Sequence, residues 1–309
     1  MGKIKELRPN RVSLPFKQIS GPFWCPLLRT ILLFVFATGL WFPATADPVA
    51  VDSVTAVSRE LHRIEFHIPE QHRAQLNAIP RTQITGPGTS LNWREKVPFS
   101  HSVYLRLALS AVLQVNETLA VTRARVQSLV VARANPKDLA WLSKIIADYE
   151  VPTAYAPASE ALKTELLLRL DTLPPSLVIA KGALDSGWLP SRYANLERPE
   201  FSRWTLGRMT AAETDSSGFR QPRTALEAYM HRLNTNPSFS PMRAARAALR
   251  AEGKPLDGQT LAVYLAPALG RLATQKLQRI IQRNTLKYAD QARLSAGPVF
   301  VFKRIEKWR

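Results

Sequence analysis

The sequence predicts a mainly α-helical protein, and three observations lead to this fold class. Apolar residues recur every three to four positions through residues 101–134 and in later segments, which is the spacing of one helix face. Asn135 and Ser159 stand at typical helix starts, because their side chains can cap a first turn. Residues 175–184 are almost entirely apolar, so we expect a helix that is buried on most of its sides.

The 309 residues allow one main domain of about 200 residues with extensions at both ends. We predict a targeting segment, a polar Pro-containing extension outside the core, a helical domain and a C-terminal tail, with the boundaries 1–46, 47–100, 101–296 and 297–309.

The N-terminal segment has the order of a secretory signal. Basic residues precede a short apolar run, 30–42, and small residues follow at Ala44-Thr45-Ala46. The run is shorter than the roughly 20 residues that a membrane-spanning helix needs. Two readings stay open: a cleaved signal peptide, or a retained signal-anchor that associates with the inner membrane. Both predict that the remainder is exported.

The helices are expected to pack around residues 175–184. A long helix covers most of 101–134, a second follows Asn135 and a third follows Ser159. A later helix, 224–233, is predicted to point four residues inward: Leu226, Tyr229, Met230 and Leu233.

The apolar segment 175–184 ends at a carboxylate, Asp185, close to a large aromatic residue, Trp188. Apolar surroundings and the negative end of a helix dipole both disfavour the charged form of a carboxyl group. A general acid for glycoside cleavage needs its proton held in this way. The alternative is that Asp185 only caps the turn and meets water or an Arg.

A series of short motifs follows this segment in order. The motifs are Pro174-Pro175, Asp185-Ser186-Gly187-Trp188, Ser191-Arg192-Tyr193-Ala194, Phe201-Ser202-Arg203-Trp204, Phe219, Tyr229, Leu233-Asn234-Thr235-Asn236-Pro237-Ser238-Phe239, Arg243 and Arg246. Over residues 97–294 their order and spacing resemble the Bax-type glucosaminidase-domain proteins, relatives of glycoside hydrolase family 73.

This resemblance implies a lysozyme-like helical domain that hydrolyses N-acetylglucosamine linkages in peptidoglycan. This chain also departs from the motifs of the family. The acid of the family is Glu, whereas this chain has Asp185, and a Tyr-Ser-Glu-Arg-Gly motif of the family is replaced by residues 266–270. The segment between Trp204 and Phe219 is short, so we expect a shortened lobe over the cleft.

Within this resemblance, Asp185 is the candidate general acid that protonates the leaving glycosidic oxygen. Glycoside hydrolysis usually uses a second carboxylate, and Glu213, near Asp215, is the candidate. Chemistry assisted by the acetamide group of the substrate is the alternative, and it needs no such base.

The candidate substrate-binding residues are aromatic or basic and are expected to wall the cleft: Trp188, Arg192, Trp204 and Tyr229. The two Trp side chains are alternatively hydrophobic anchors. Tyr229 is alternatively a core residue whose hydroxyl group is satisfied.

The formal net charge of +18 indicates attraction to anionic partners. Two sets of basic residues lie at helical spacing and are either solvated faces or polyanion contacts: Arg243, Arg246 and Arg250, and Lys276, Arg279 and Arg283. No helix-turn-helix, zinc-binding or aromatic RNA-binding motif accompanies the charge, so we expect no nucleic-acid partner.

No cofactor and no metal are expected. His62, His67 and His72 are five residues apart, so they share no helix face, and no Cys or carboxylate pattern completes a metal site. Cys25 is the single cysteine and precedes the apolar run.

Two functions follow from this reading. The first is an exported peptidoglycan hydrolase, periplasmic or anchored to the inner membrane and facing the periplasm, that resembles endo-β-N-acetylglucosaminidases and cleaves glycan strands with a carboxyl general acid. The alternative is a catalytically weak or inactive protein whose cleft binds peptidoglycan without cutting it.

Overall fold

The computed structural model describes residues 45–52, 54–65, 76–85, 100–130, 133–152, 159–186 and 222–304. Most of these residues are helical, which confirms the mainly α-helical class. The helices are α1 Val54–Arg63, α2 Ser100–Ser128, α3 Pro136–Asp148, α4 Glu160–Arg169, α5 Pro175–Ser186, α6 Pro222–Thr235, α7 Ser240–Ala251, α8 Gly258–Val263, α9 Ala266–Leu269 and α10 Arg271–Arg283. Two short 3-10 helices, Pro237–Phe239 and Leu286–Gln291, complete the helical structure of this part of the chain.

The predicted helix starts are confirmed at two positions. The side chain of Asn135 accepts a hydrogen bond from the Asp138 N–H at 2.9 Å, and α3 begins at the next residue. The side chain of Ser159 accepts from the Leu162 N–H at 3.1 Å, directly before α4. Each cap satisfies a backbone donor that has no partner within the helix, so a local signal was enough to fix both starts.

Three strands form a small parallel sheet in the order β1-β3-β2, with β1 Val49–Val51, β2 Ile79–Thr85 and β3 Leu294–Arg304. Residues 297–304 belong to the predicted C-terminal tail, for which a short strand or a docked end was expected, and here they are extended. They form most of the central strand, and Phe302 is only 1% exposed. Its partners come from the opposite end of the chain, so no local pattern predicts the pairing.

Residues 47–100 were expected to form an extension outside the core. The described parts correct this expectation, because five of their apolar side chains are buried: Val51, Val57, Leu61, Ile79 and Ile84. The predicted domain boundaries themselves stay a prediction.

Helix α2 packs against β2 through polar side chains. Ser110 Oγ donates to the Pro80 carbonyl oxygen and accepts from the Thr82 N–H, both at 2.8 Å. Gln114 donates to the Thr82 carbonyl oxygen at 3.1 Å. These bonds satisfy backbone groups that the edge strand of a sheet otherwise leaves without partners.

Helix α5 lies in the core, as its composition predicts. Leu177, Val178, Ile179 and Ala180 are all at most 1% exposed. α5 packs against α2, which was predicted, and also against α8, α10 and the 3-10 helix Leu286–Gln291. Much of the surroundings of α5 therefore comes from the C-terminal part of the chain.

Among the residues that the structure describes, no helix is long and apolar enough to cross a membrane.

Candidate functional site

The candidate acid lies at the C-terminal end of the buried helix. Asp185 belongs to the last turn of α5, which ends at Ser186. The side chain of Asp185 is not among the described ones. Four other predicted site residues lie outside the described residues altogether, and their roles stay predictions: Trp188, Arg192, Trp204 and Glu213.

Tyr229 lies next to α5. It belongs to α6 and is 2% exposed, and Leu226, Met230 and Leu233 are buried as predicted. The ammonium group of Lys181 on α5 is 5.6 Å from the centre of the Tyr229 ring. Asp185 follows Lys181 by four residues, and such residues lie on the same helix face. Tyr229 is therefore placed against the turn of α5 that leads to the candidate acid, in a buried position.

Lys181 is a residue whose importance the sequence reasoning missed. It is 3% exposed, although an ammonium group is costly to remove from water. Its distance to the Tyr229 ring is within the range of a cation–π interaction. A signal was present in the sequence, because Lys181 is the only charged residue within 175–184.

The position of Lys181 changes the expected electrostatics of the site. A positive charge one turn from a carboxyl group favours the charged form of that group. This effect opposes the two that the sequence predicts for Asp185, apolar surroundings and the helix C-terminus.

Close packing fixes the position of this end of α5. The hydroxyl group of Tyr104 on α2 donates to the Ile179 carbonyl oxygen at 3.1 Å. A Cβ atom at Gly182 would lie 2.6 Å from that hydroxyl oxygen, which is too close for any larger residue without rearrangement. A glycine at position 182 therefore allows α2 to approach the helix directly before Asp185.

A second carboxylate, Asp290, lies at the other end of α5. It accepts hydrogen bonds from the Ser176 N–H at 2.8 Å, from the Ser176 hydroxyl at 2.7 Å and from the Gly258 N–H at 3.0 Å. Burial raises the pKa of Asp290 to about 6, although these three bonds act to lower it. Asp290 thus joins the first turns of α5 and α8.

Asp290 is too far away to serve as the catalytic partner of Asp185. Nine residues of helix separate Ser176 from Asp185, which corresponds to about 14 Å along the axis. The two carboxyl groups of a glycosidase are separated by about 5 to 9.5 Å. The raised pKa of Asp290 therefore does not mark a catalytic acid. Asp290 has a structural role at the start of α5, whereas Asp185 lies at the end of that helix.

Two residues of the predicted basic set, Arg243 and Arg246, are buried, which corrects both interpretations for them, whereas the side chain of Arg250 is 37% exposed. Arg243 is 4% and Arg246 is 1% exposed. Arg246 donates to the Leu168 carbonyl oxygen at 2.8 Å and to Asn234 Oδ1 at 2.7 Å. Arg243 donates to the Asn236 carbonyl oxygen at 2.7 Å. These side chains hold loops together instead of forming an open face.

The second basic set, Lys276, Arg279 and Arg283 on α10, is exposed, as both of its interpretations require. Of the three histidines in the predicted extension, only His62 is described, and its ring contacts the Ser58 carbonyl oxygen at 2.7 Å. His67 and His72 lie outside the described residues. Among the residues that the structure describes, no three His, Cys, Asp or Glu side chains form a group that could hold a metal ion.

The fold and site define a mainly helical protein built around a buried helix, α5, whose last turn carries an acidic residue, Asp185. No family model and no solved structure matches the chain. The chain is similar to Protein bax of Escherichia coli (strain K12), with 32% identity over 120 residues, which is 38% of this chain and 43% of the relative. The match thus spans less than half the length of that relative. It supports a distant relationship to Bax-like proteins.

Proposed function

We propose that this protein is an exported peptidoglycan hydrolase that resembles the β-N-acetylglucosaminidases of glycoside hydrolase family 73. Asp185 would act as the general acid at the leaving glycosidic oxygen. The protein would work in the periplasm, free or attached to the inner membrane through its N-terminal segment. Trp188, Arg192, Trp204 and Tyr229 would bind the glycan, and Glu213 is the candidate second carboxylate.

The observation that carries this proposal is the place of Asp185. It belongs to the last turn of a helix whose residues 175–183 are buried, so the residues before it are held by close packing. Catalytic groups need such a fixed position, because a displacement of about 1 Å can cost about a hundredfold in rate. The motif Asp185-Ser186-Gly187-Trp188 supports the same assignment, and the match to Protein bax supports a distant relationship to Bax-like proteins.

A second candidate is a protein that binds peptidoglycan without cleaving it. Lys181 favours this alternative, because a buried ammonium group one turn before Asp185 favours an ionised carboxylate that cannot donate a proton. The shorter side chain of Asp also moves the carboxyl group back from the position of a Glu carboxyl.

Release of soluble fragments from purified peptidoglycan tests the proposal. Wild type is compared with Asp185→Asn, which removes the acid, and with Asp185→Glu, which restores the family's side chain. Asp138→Asn is the matched control, because Asp138 is an exposed carboxylate on α3. Hydrolysis predicts that wild type and the control release fragments with a new N-acetylglucosamine reducing end, whereas Asp185→Asn does not.

The variants separate the two candidates. If wild type releases nothing but pellets with peptidoglycan, and Asp185→Glu gains cleavage, then the binding protein is the better description. If neither wild type nor Asp185→Glu cuts or binds the wall, both candidates are wrong.

A further inference from the structure

A groove lies on the surface between α2, α4 and α7, and it has a volume of about 780 Å³. This volume is in the range of sites that hold small ligands. The lining combines apolar residues with polar and cationic ones: Ala120, Arg123, Gln127, Thr164, Leu167, Leu168, Thr172, Ala247, Arg250, Ala251, Gly253 and Lys254.

A second cavity of about 590 Å³ adjoins this groove. The two share Ala120, Thr172, Arg250 and Lys254 as lining residues. The second cavity extends to Pro174 at the start of α5 and therefore lies at the end of that helix opposite Asp185. The pair of cavities is thus distinct from the candidate site described above.

The floor of the groove carries an excess of positive charge. Arg250 binds both carboxylate oxygens of the buried Asp171 at 2.6 Å, and the guanidinium groups of Arg123 and Arg246 approach the same carboxylate at 3.6 Å. One negative charge thus faces three positive ones. The pKa of Arg123 is lowered, mainly by burial and also by the charge of Arg250, while the charge of Asp171 acts in the opposite direction.

Some donors of these guanidinium groups have no protein acceptor among the described residues. Arg123 donates to the Leu167 and Leu170 carbonyl oxygens through Nη1 alone, which leaves Nε and Nη2. Arg250 uses Nε and Nη2, which leaves Nη1. Lys254 lies at the rim with its side chain 63% exposed, and its ammonium group pairs with Glu252 at 2.6 Å. Fixed guanidinium donors beside an ammonium group are suited to carboxylate binding.

We propose that this groove binds a short acidic peptide that carries free carboxylates and small apolar side chains. The guanidinium groups of Arg123 and Arg250 would bind the carboxylates, while Ala247, Ala251, Leu167 and Leu168 would contact the apolar groups. The inference goes beyond the proposed hydrolase activity. If that activity is correct, the peptide stems of peptidoglycan, which bear carboxylates, are a natural source of such a ligand.

Two neighbouring residues on α2 offer a matched pair of variants. Ala120 is exposed and lines both cavities, so Ala120→Glu places a carboxylate in the groove one turn before Arg123. Val121 is 56% exposed and lines neither cavity, so Val121→Glu makes the same charge change outside the groove. Neither side chain belongs to the core, and urea unfolding is used to check that both variants are folded.

The binding of two synthetic peptides to the full chain is measured by calorimetry at about 0.1 M salt, where long-range charge effects are screened. The acidic probe is acetyl-Ala-Glu-Ala-Ala with a free carboxylate end, and the neutral probe is acetyl-Ala-Gln-Ala-Ala-amide. We expect the acidic probe to bind at least about tenfold more tightly, and Ala120→Glu to weaken it by about tenfold while Val121→Glu changes it by less than about twofold.

Three results would overturn the proposal: equal binding of the two probes or none, equal weakening by both variants, or displacement of the peptide by inorganic phosphate at the same concentration as the peptide itself. The last result would mean a general anion site. Failure of the hydrolase proposal is seen separately, because Asp185→Asn and fragment release test it without reference to this groove.

Discussion

Asp171→Asn is the substitution that most directly tests the electrostatic reading of this core. Asp171 is 2% exposed and is the shared counter-charge of Arg123, Arg246 and Arg250. Asn preserves the shape but removes the negative charge. Burial lowers the pKa of Arg246 to about 10, which still leaves this group charged at neutral pH. The variant therefore leaves three cations facing one another with no carboxylate between them.

The expected cost follows from this geometry. Removing one partner of a buried, hydrogen-bonded ion pair destabilises a protein by about 3 to 5 kcal/mol. A domain is stable by only about 5 to 15 kcal/mol, so the loss is a large fraction of the total. Urea unfolding at pH 7, followed by circular dichroism, measures the difference in the free energy of unfolding.

Asp138→Asn is the control for the same chemical change at the surface. Asp138 pairs with Arg125 at 3.0 Å, and both side chains are substantially exposed, at 29% and 50%. Such pairs contribute about 0 to 1 kcal/mol. If Asp171→Asn costs no more than Asp138→Asn, the cluster is not held by its charges and the reasoning is wrong.

Three further predictions concern Asp290, Gly258 and Asn135. The pKa of Asp290 is raised to about 6, so the folded state binds the proton of this carboxyl group more tightly than the unfolded chain does. The stability that this group contributes is complete below pH 4 and is lost as the pH rises through 6. The unfolding free energy of wild type relative to Asp290→Asn should therefore fall by up to about 3 kcal/mol between pH 4 and pH 7; a constant difference would contradict the raised pKa. Gly258→Ala should cost at least about 2 kcal/mol, because its Cβ would lie 2.1 Å from Ser176 Oγ and 2.6 Å from the Leu177 backbone nitrogen. Gly253→Ala meets no neighbouring atom, so it should cost only about 1 kcal/mol, which comes from the positive φ of 66° at Gly253. Equal losses in thermal melts would show that the helices around Gly258 move apart easily. Asn135→Ala should cost about 1 kcal/mol in urea unfolding through loss of the α3 cap, and a neutral result would mean that water replaces the cap without cost.

The signals that act within a few residues were readable from the sequence. The caps at Asn135 and Ser159 fixed the starts of two helices, and the apolar composition of 175–184 indicated a buried helix. The inward face of α6, including Tyr229, followed from helical periodicity. The acidic residue at the end of α5 was found in the same way, because its position depends only on the helix that precedes it.

Features that depend on distant parts of the chain were decided by the tertiary structure. β3 is extended because strands more than 200 residues earlier pair with it, and Arg246 is buried because carbonyl oxygens and Asp171 from another segment surround it. Charged residues at helical spacing look the same in a sequence whether their partner is water or a buried carboxylate. The sequence alone therefore determined the helices that have a cap or a strong apolar pattern, and the place of Asp185 on one of them. Only the packing of distant segments decided which charges are buried, since the cost of burying a charge depends on the groups that surround it.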